Sequence, residues 1–297
     1  MIRDLIIFLA SFVSRLLGRT NLYRLGRWAY TTARNDVTDR ISENGEKWVQ
    51  SWVLKACCGN DGGRVVVFDI GANTGDWLLS LLDVAERLGC LSQLDVHAFE
   101  PVPSTYERLL NMIKNDPRAT TVAVIKPECL AMSSSQGSAS MFVVGDGVGI
   151  NSLHQDSKAV YTQSIIIVTN TIDHYFQENN IRMVHLLKCD TEGHDMEVLR
   201  GAQDVLRQEL IRVLQFEYNH RWVFSRNFLK DAFDLVAGLP YAIGKVTPSC
   251  VEFYTEWHPE LERFFEANFL IVHDDARKWL LHRNMVFDKS NAVRNAL

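Results

Sequence analysis

Two carboxylates stand directly at the ends of apolar runs, where a parallel sheet would hold a ligand. Asp69 lies near the end of RVVVFDI (64–70), and Gly71 and Gly75 follow it at D-x-G-x-x-x-G spacing. Glu100 directly follows LDVHAF (94–99). Glycines let a backbone come close to a ligand, and a carboxylate at the tip of the second strand can accept both hydroxyls of a ribose. The pattern therefore predicts a site for an adenosine-containing ligand.

The spacing of this loop leaves the identity of the ligand open. The dinucleotide fingerprint is G-x-G-x-x-G, whereas residues 71–75 read G-A-N-T-G. The spacing D-x-G-x-N-x-G is that of the class I methyltransferases, which bind S-adenosylmethionine. A nicotinamide-dependent oxidoreductase is thus an alternative that the missing glycine disfavours, and a turn with a purely structural role is another.

The order of the apolar runs predicts the elements that position these carboxylates. Strand-length apolar runs alternate with helix-period stretches, as is typical of βαβ units. We predict an α/β fold with a doubly wound, mostly parallel sheet, preceded by a helical extension over residues 1–60 and forming one domain over residues 61–297. The expected strands are 64–70, 94–99, 120–125, 128–132, 183–190 and 211–218, with possible strands in the Gly- and Ser-rich segment 137–170 and two or three more among 241–273. The expected helices are 75–88, 103–115, 171–179, 194–207 and about 225–237.

Five ordered blocks between about residues 64 and 220 resemble the FkbM-type methyltransferases of class I. They are FDIGANTGDW (68–77), HAFEPVPSTYERL (97–109), GINSL (149–153), TIDHYFQENNI (171–181) and LLKCDTEGHDMEVLRGA (186–202). The last block is the most specific of them. The resemblance implies an S-adenosylmethionine-dependent O-methyltransferase that acts on a hydroxyl of a sugar, a macrolide ring or another secondary metabolite. A protein that binds the cofactor without turnover is the alternative.

The resemblance also implies which residues contact the cofactor. Those near the methionine end and the loop would be Asp69, Gly71, Ala72, Asn73 and Gly75. Glu100 would bind the ribose, with Pro101 and Val102 near the adenine.

Three polar residues at the end of the predicted strand 183–190 or just after it are candidates for catalysis: Asp190, Glu192 and His194. Methyl transfer requires alignment of the acceptor and removal of its proton, so one of them is the expected base. His194 has the most suitable ordinary pKa for this role, whereas Glu192 could instead favour the helix N-terminus. Asp190 and Glu192 could flank a divalent cation, but without a visible third ligand we predict no metal.

The acceptor is expected to lie beside the tip of the next strand. Glu217, Asn219 and His220 in QFEYNHRW are the predicted substrate-binding residues, because an aromatic residue beside polar groups suits a sugar-like surface. Tyr218 and Trp222 could equally be core residues. His154, in the Gly- and Ser-containing segment, could close over the site.

The charge distribution bears on partners and location. The net charge of -5 argues against a general nucleic-acid binder. Residues 1–34 nevertheless carry six arginines and one aspartate. Residues 1–19 predict an amphipathic helix whose apolar run is too short to cross a bilayer and which could dock on its own domain, on a second subunit of a homo-oligomer, or peripherally on a membrane. The scattered cysteines fit a reduced, cytoplasmic location.

Overall fold

The chain forms two compact units, Met1–Thr38 and Asp39–Leu297. The computed structural model describes residues 2–36, 40–41, 43–59, 63–145, 151–154 and 161–296. The first unit contains helix α1 (Ile2–Ala33), which is interrupted at Gly18, where the backbone is not helical (φ 73°, ψ 152°). The domain boundary that the sequence suggests near residue 60 stays a prediction.

The remaining helices and the strands belong to the second unit. Its helices are α2 (Glu46–Cys57), α3 (Asp76–Leu88), α4 (Pro103–Asn115), α5 (Ile172–Glu178), α6 (Asp195–Arg200), α7 (Gln203–Arg207), α8 (Trp222–Ser225) and α9 (Leu229–Leu235). Its strands are β1 (Val65–Ile70), β2 (Leu94–Phe99), β3 (Val124–Glu128), β4 (Ala131–Met132), β5 (Gly137–Val143), β6 (Gln163–Asn170), β7 (Val184–Cys189), β8 (Ile211–Tyr218), β9 (Tyr241–Val246), β10 (Val251–Tyr254), β11 (Ala267–His273), β12 (His282–Phe287) and β13 (Val293–Asn295).

The main sheet confirms the predicted α/β class. Within the described residues its strand order is β13-β12-β10-β9-β11-β8-β7-β1-β2-β3, and β4-β6-β5 form a small second sheet. The strands β3, β2, β1, β7 and β8 are all parallel. Strand β11 lies antiparallel between β8 and β9, so β9 runs in the same direction as β8. Asp69 pairs with Lys188 in register, and Lys188 with Gln215, so these three residues form one row across β1, β7 and β8.

Apolar layers cover both faces of the parallel strands. Val67 belongs to a cluster formed with α2 and α3, whereas the next residue, Phe68, belongs to a cluster formed with α5, α6 and α7. Successive strand residues point to opposite faces, and both residues are wholly buried. Helices on both sides of the sheet therefore explain why the strands are apolar along their whole length and not at every second residue.

Helix ends follow local chemistry, and some differ from the predicted ends. Pro103 opens α4, where its fixed φ suits the first turn. The helix predicted over 194–207 is divided into α6 and α7 near Gly201, which lies so close to the Ser133 carbonyl that a Cβ would be 2.0 Å from its oxygen. The helix predicted over about 225–237 corresponds to the shorter α9, and α8, which ends at Ser225 before Arg226 with φ 58°, was not predicted. The predicted strands did not include β12 and β13, which extend the sheet at one edge.

Candidate functional site

The loop between β1 and α3 is held against the ends of two neighbouring strands. The backbone N–H groups of Gly71 and Ala72 donate to the Phe99 carbonyl oxygen at 3.0 and 2.9 Å. Gly71 has φ 78°, and a Cβ there would lie 1.9 Å from the Asp190 carbonyl oxygen. Gly75 has φ 97° and packs against Met112 of α4. Both glycines are thus required by the close approach of this loop to the surrounding chain.

Glu100 is anchored by this loop and presents a carboxylate at its edge. Its Oε2 accepts a hydrogen bond from Asn73 N at 3.1 Å, and its Oε1 accepts one from Val102 N at 2.9 Å. Burial raises the pKa of Glu100 to about 7 against the opposing effect of these two hydrogen bonds. Each carboxylate oxygen can accept a further hydrogen bond, so Glu100 fits the two hydroxyl groups of a ribose as donors.

Asp69 is a buried carboxylate below the same loop. Its side chain is 0% exposed, and neither oxygen has a hydrogen-bond partner among the described residues. Lys188 Nζ lies 3.7 Å from Asp69 Oδ1 and 3.3 Å from Asp190 Oδ2. Burial raises the pKa of Asp69 to about 6, although Lys188 opposes the shift. A buried polar group without a partner is costly, and Asp69 could accept a hydrogen bond from a ligand.

Glu46, at the start of α2, joins this polar row from a distant part of the chain. Its Oε2 accepts from Gln215 Nε2 at 2.7 Å, and its Oε1 accepts from Asn44 Nδ2 at 2.6 Å and from Asn268 Nδ2 at 3.2 Å. Burial raises the pKa of Glu46, while the charge of Lys188 lowers it. Sequence reasoning missed Glu46 and Lys188 as site residues. No local motif marks Glu46, because it meets Gln215 across 169 positions.

The turn after β7 holds Glu192 in an unfavourable backbone conformation. Glu192 has φ 56° and Gly193 has φ 93°. Such a φ at a residue other than glycine costs about 1–3 kcal/mol and is common at functional sites. The buried carboxylate of Asp195 supports the turn by accepting from Thr191 N and Gly193 N, each at 3.3 Å. The Asp195 carboxylate therefore stabilises the turn through its hydrogen bonds, whereas the Glu192 side chain is not used to hold the turn together.

Glu192 pairs with Arg221, and its pKa is shifted strongly. The Arg221 guanidinium donates to Glu192 Oε2, and the Glu192 side chain is 20% exposed. Desolvation and then the charge of Asp190 raise the pKa of Glu192 to about 8, against the opposing charge of Arg221. A carboxyl whose pKa lies near neutrality is suited to general-base catalysis.

His194 is buried, and both of its ring nitrogens have partners. Its Nε2 lies 2.9 Å from Ser133 Oγ, and its Nδ1 lies 3.0 Å from His154 Nε2. Ser152, two residues before His154, donates from Oγ to the Glu192 carbonyl oxygen at 2.8 Å. Residues 151–154 are thereby joined to the turn that carries Glu192, whereas Gly149 and Ile150 of the GINSL block lie outside the described residues.

At the contact between His194 and His154 one ring nitrogen donates and the other accepts, so at least one of the two rings is neutral. Burial lowers the pKa of His194 to about 4, and it also lowers the pKa of His154. An unfolded histidine has a pKa of about 6.5. Stability from neutral His194 is therefore fully present above pH 6.5 and is lost as the pH falls through about 4. Between pH 7.5 and pH 5 we expect the parent to lose ~2 kcal/mol more of its unfolding free energy than His194→Gln.

Urea denaturation of both proteins at the two pH values measures this difference. Glutamine keeps a hydrogen-bonding side chain but does not titrate in this range. Equal losses of unfolding free energy in the parent and in His194→Gln would contradict the assignment.

The predicted acceptor residues lie beside the same turn but in different environments. Asn219 is buried, with Oδ1 accepting from Arg221 N at 2.8 Å and Nδ2 donating to Glu217 Oε2 at 2.5 Å. Desolvation raises the pKa of Glu217 well above its usual value. His220 is exposed. Tyr218 and Trp222 are 1% and 0% exposed, which confirms the alternative that these aromatic residues belong to the core.

The carboxylates of Asp190 and Glu192 are each paired with a basic side chain of the protein. Asp190 is paired with Lys188, and Glu192 with Arg221. In the described part of the chain, no group of three or more His, Cys, Asp or Glu side chains could hold a metal ion.

Comparison with known proteins adds a family match and more distant likenesses. A family model described as the methyltransferase FkbM domain matches residues 69–283. Hexuronic acid methyltransferase AglP of Haloferax volcanii is 29% identical over 142 residues. This alignment covers 48% of the chain and 52% of that relative, so the chain spans about half of its length.

Solved structures with a similar chain path are methyltransferases of low sequence identity. Methyltransferase FkbM from Methylobacillus flagellatus KT aligns with a TM-score of 0.46 and 15% identity, over 74% of this chain and 47% of that one. Aeropyrum pernix fibrillarin, solved with bound S-adenosyl-L-methionine, aligns with a TM-score of 0.36 and 13% identity, over 76% of this chain and 74% of that one.

Proposed function

Because this chain belongs to the FkbM methyltransferase family, we propose that it methylates a hydroxyl oxygen of a sugar or another secondary metabolite. The methyl donor of the family is S-adenosylmethionine. The observation that carries the proposal is that the loop after β1 and the turn that contains Glu192 lie side by side. The loop that holds Glu100 is packed at Gly71 against Asp190, directly before the turn that holds Glu192. The loop proposed to bind the methyl donor therefore lies next to a candidate general base.

The proposed cofactor site consists of the loop after β1 and the tip of β2. Glu100 would accept the ribose hydroxyls, with Pro101 and Val102 beside the adenine. The methionine end would lie along the loop, next to the Asp69 carboxylate. The oxygens of this carboxylate have no hydrogen-bond partner among the described residues and suit an ammonium group. The loop residues assigned to the cofactor are Asp69, Gly71, Ala72, Asn73 and Gly75. When bound, the cofactor supplies an electrophilic methyl group.

Among Asp190, Glu192 and His194, we assign the role of general base to Glu192. Both ring nitrogens of His194 have partners, and burial lowers its pKa to about 4. Asp190 and Glu192 are each paired with a cation, and Glu192 is distinguished by a pKa that desolvation raises to about 8. In this assignment Glu192 accepts the proton of the acceptor hydroxyl as the oxygen takes up the methyl group. Arg221 orients the Glu192 carboxylate, and Asp190 orients the acceptor beside the cofactor loop.

The acceptor would be bound beside the tip of β8. His220 is exposed and available to an acceptor hydroxyl, while Glu217 and Asn219 shape the wall behind it through their mutual hydrogen bond. The choice of a sugar is supported by the Haloferax volcanii relative, which is a hexuronic acid methyltransferase. A hydroxyl rather than a carboxyl is the proposed position of attack.

A methyl-transfer assay with labelled S-adenosylmethionine tests this function. The panel consists of hexuronic acids, the corresponding neutral sugars and simple polyketide alcohols, and formation of both labelled product and demethylated cofactor is measured. We expect turnover with at least one sugar and a label that survives mild alkali, because methyl ethers resist hydrolysis whereas methyl esters do not.

Two results would contradict the proposal in different ways. A label released by alkali would assign methylation to a carboxyl oxygen. Cofactor binding without turnover over the whole panel would instead favour a binding protein that retains the fold.

A further inference from the structure

Helix α1 carries large apolar side chains that are exposed to solvent. Between 43% and 70% of the surface of each is accessible. They are Leu16, Leu17, Tyr23, Leu25, Trp28 and Tyr30. Several large apolar side chains exposed on one helix mark a place of interaction, and none of the residues assigned to the proposed methyl-transfer site belongs to α1.

Arginines are interspersed with these apolar residues. Arg15, Arg19 and Arg24 are exposed, and the sequence has no acidic residue between Asp4 and Asp36. Leu25 and Trp28, three residues apart, lie on the same side of the helix, and Arg24 lies one turn before Trp28. An arginine next to an aromatic ring can keep its charge in water while its alkyl stem packs on an apolar surface. The described surface of α1 is thus both basic and apolar.

The sequence of α1 and its break at Gly18 suit a helix that lies on a membrane surface better than one that crosses a bilayer. The break at Gly18 separates a first segment that is mostly apolar in sequence (LIIFLASFV, 5–13) from a second one that contains both arginines and aromatic residues. No helix in the described chain has the length and hydropathy to cross a bilayer. Basic helices with aromatic and aliphatic side chains bind in the plane of a membrane interface, with added attraction to anionic lipids.

We propose that α1 is an interfacial helix that binds an anionic lipid surface. Arg15, Arg19 and Arg24 are placed to contact acidic headgroups, and Leu25 and Trp28 are placed to enter the boundary between headgroups and acyl chains. Charge complementarity supports this partner, since residues 1–34 carry six arginines against one aspartate.

A second copy of the chain is a poorer partner for α1. In residues 39–297, the exposed large apolar side chains of the described part are spread over separate elements: Trp48 on α2, Ile166 and Val168 on β6, Val223 on α8, Phe228 before α9 and Leu281 before β12. Covering a helix of 32 residues would require a matching apolar groove. A lipid surface requires none.

Sedimentation of the full chain with vesicles tests the proposal. Phosphatidylcholine vesicles are compared with vesicles that contain one quarter phosphatidylglycerol, at low and at high salt. We expect at least about tenfold stronger partitioning onto the anionic vesicles and a marked loss at high salt, because salt screens the attraction. Each arginine near such a surface contributes about fivefold to binding, so R15Q/R19Q/R24Q should weaken partitioning by about 100-fold.

A matched triple variant controls for the change in net charge. R207Q/R283Q/R294Q removes three exposed arginines outside α1 and should partition like the parent. Thermal unfolding of both variants checks that they are folded, so the result does not depend on methyl-transfer activity. Equal partitioning of the two triple variants would overturn the proposal. So would a dimer of the parent that dissociates in R15Q/R19Q/R24Q and never binds vesicles, since α1 would then bind a second copy.

Discussion

Replacement of Glu192 by glutamine is expected to lower kcat by about 10²–10⁴-fold, the usual contribution of general-base catalysis. The amide has the shape of the carboxyl but cannot take a proton. Because burial raises the pKa of Glu192 to about 8, and the ionised form is the base, kcat of the parent should rise with pH through about 8. Glu192→Gln should lose this rise while binding S-adenosylmethionine within about twofold of the parent.

Glu209→Gln is the matched control for this experiment. Glu209 is exposed and also has a left-handed backbone, with φ 60°, so the substitution makes the same chemical change in the same backbone region away from the site. It should leave kcat and its pH profile unchanged. If Glu192→Gln retains the rise with pH and Asp190→Asn loses it, Asp190 is the base and the assignment of Glu192 is wrong.

Glu100→Ala is expected to weaken the binding of S-adenosylmethionine by at least about 100-fold. Hydrogen bonds to a charged group contribute about 1.5–3 kcal/mol each, and the variant removes the acceptor of two ribose hydroxyls. Burial raises the pKa of Glu100 to about 7, and only the ionised form accepts at both oxygens. The affinity of the parent should therefore increase as the pH rises from 6 to 8. Titration calorimetry at several pH values measures both effects.

Two further variants separate cofactor binding from the support of the loop. Glu100 also anchors Asn73 N and Val102 N, so thermal unfolding is measured alongside. Glu100→Gln keeps one acceptor oxygen and should bind with intermediate affinity and without the rise between pH 6 and pH 8. Glu107→Ala, at an exposed position of α4, should bind like the parent. A folded Glu100→Ala protein with parental affinity would remove Glu100 from the proposed site.

The fold could be predicted where the signal is local or the burial is complete. The boundaries of β8 and α4 match the expected ones, because a fully buried strand and a proline-initiated helix have clear sequence patterns. The division of the helix predicted over 194–207 was not predictable, because at Gly201 it accompanies close packing on the Ser133 carbonyl. Strand β13 adds a short edge with little apolar periodicity.

The sequence by itself determined the family and the position of the Gly71–Gly75 loop relative to Glu100. These features depend on consecutive elements: β1, its loop and β2 follow one another in the chain, and adjacent parallel strands bring their carboxyl ends to one edge. The loop spacing and Glu100 could therefore be recognised without coordinates.

Only the tertiary structure decided the partners and the protonation of the charged residues. Glu46 meets Gln215, Arg221 pairs with Glu192, and His154 contacts His194 across 169, 29 and 40 positions of the chain. Desolvation is the largest cause of the pKa shifts of Glu46, Glu192 and His194. Desolvation depends on every segment packed around a group, and no local pattern of residues contains that information.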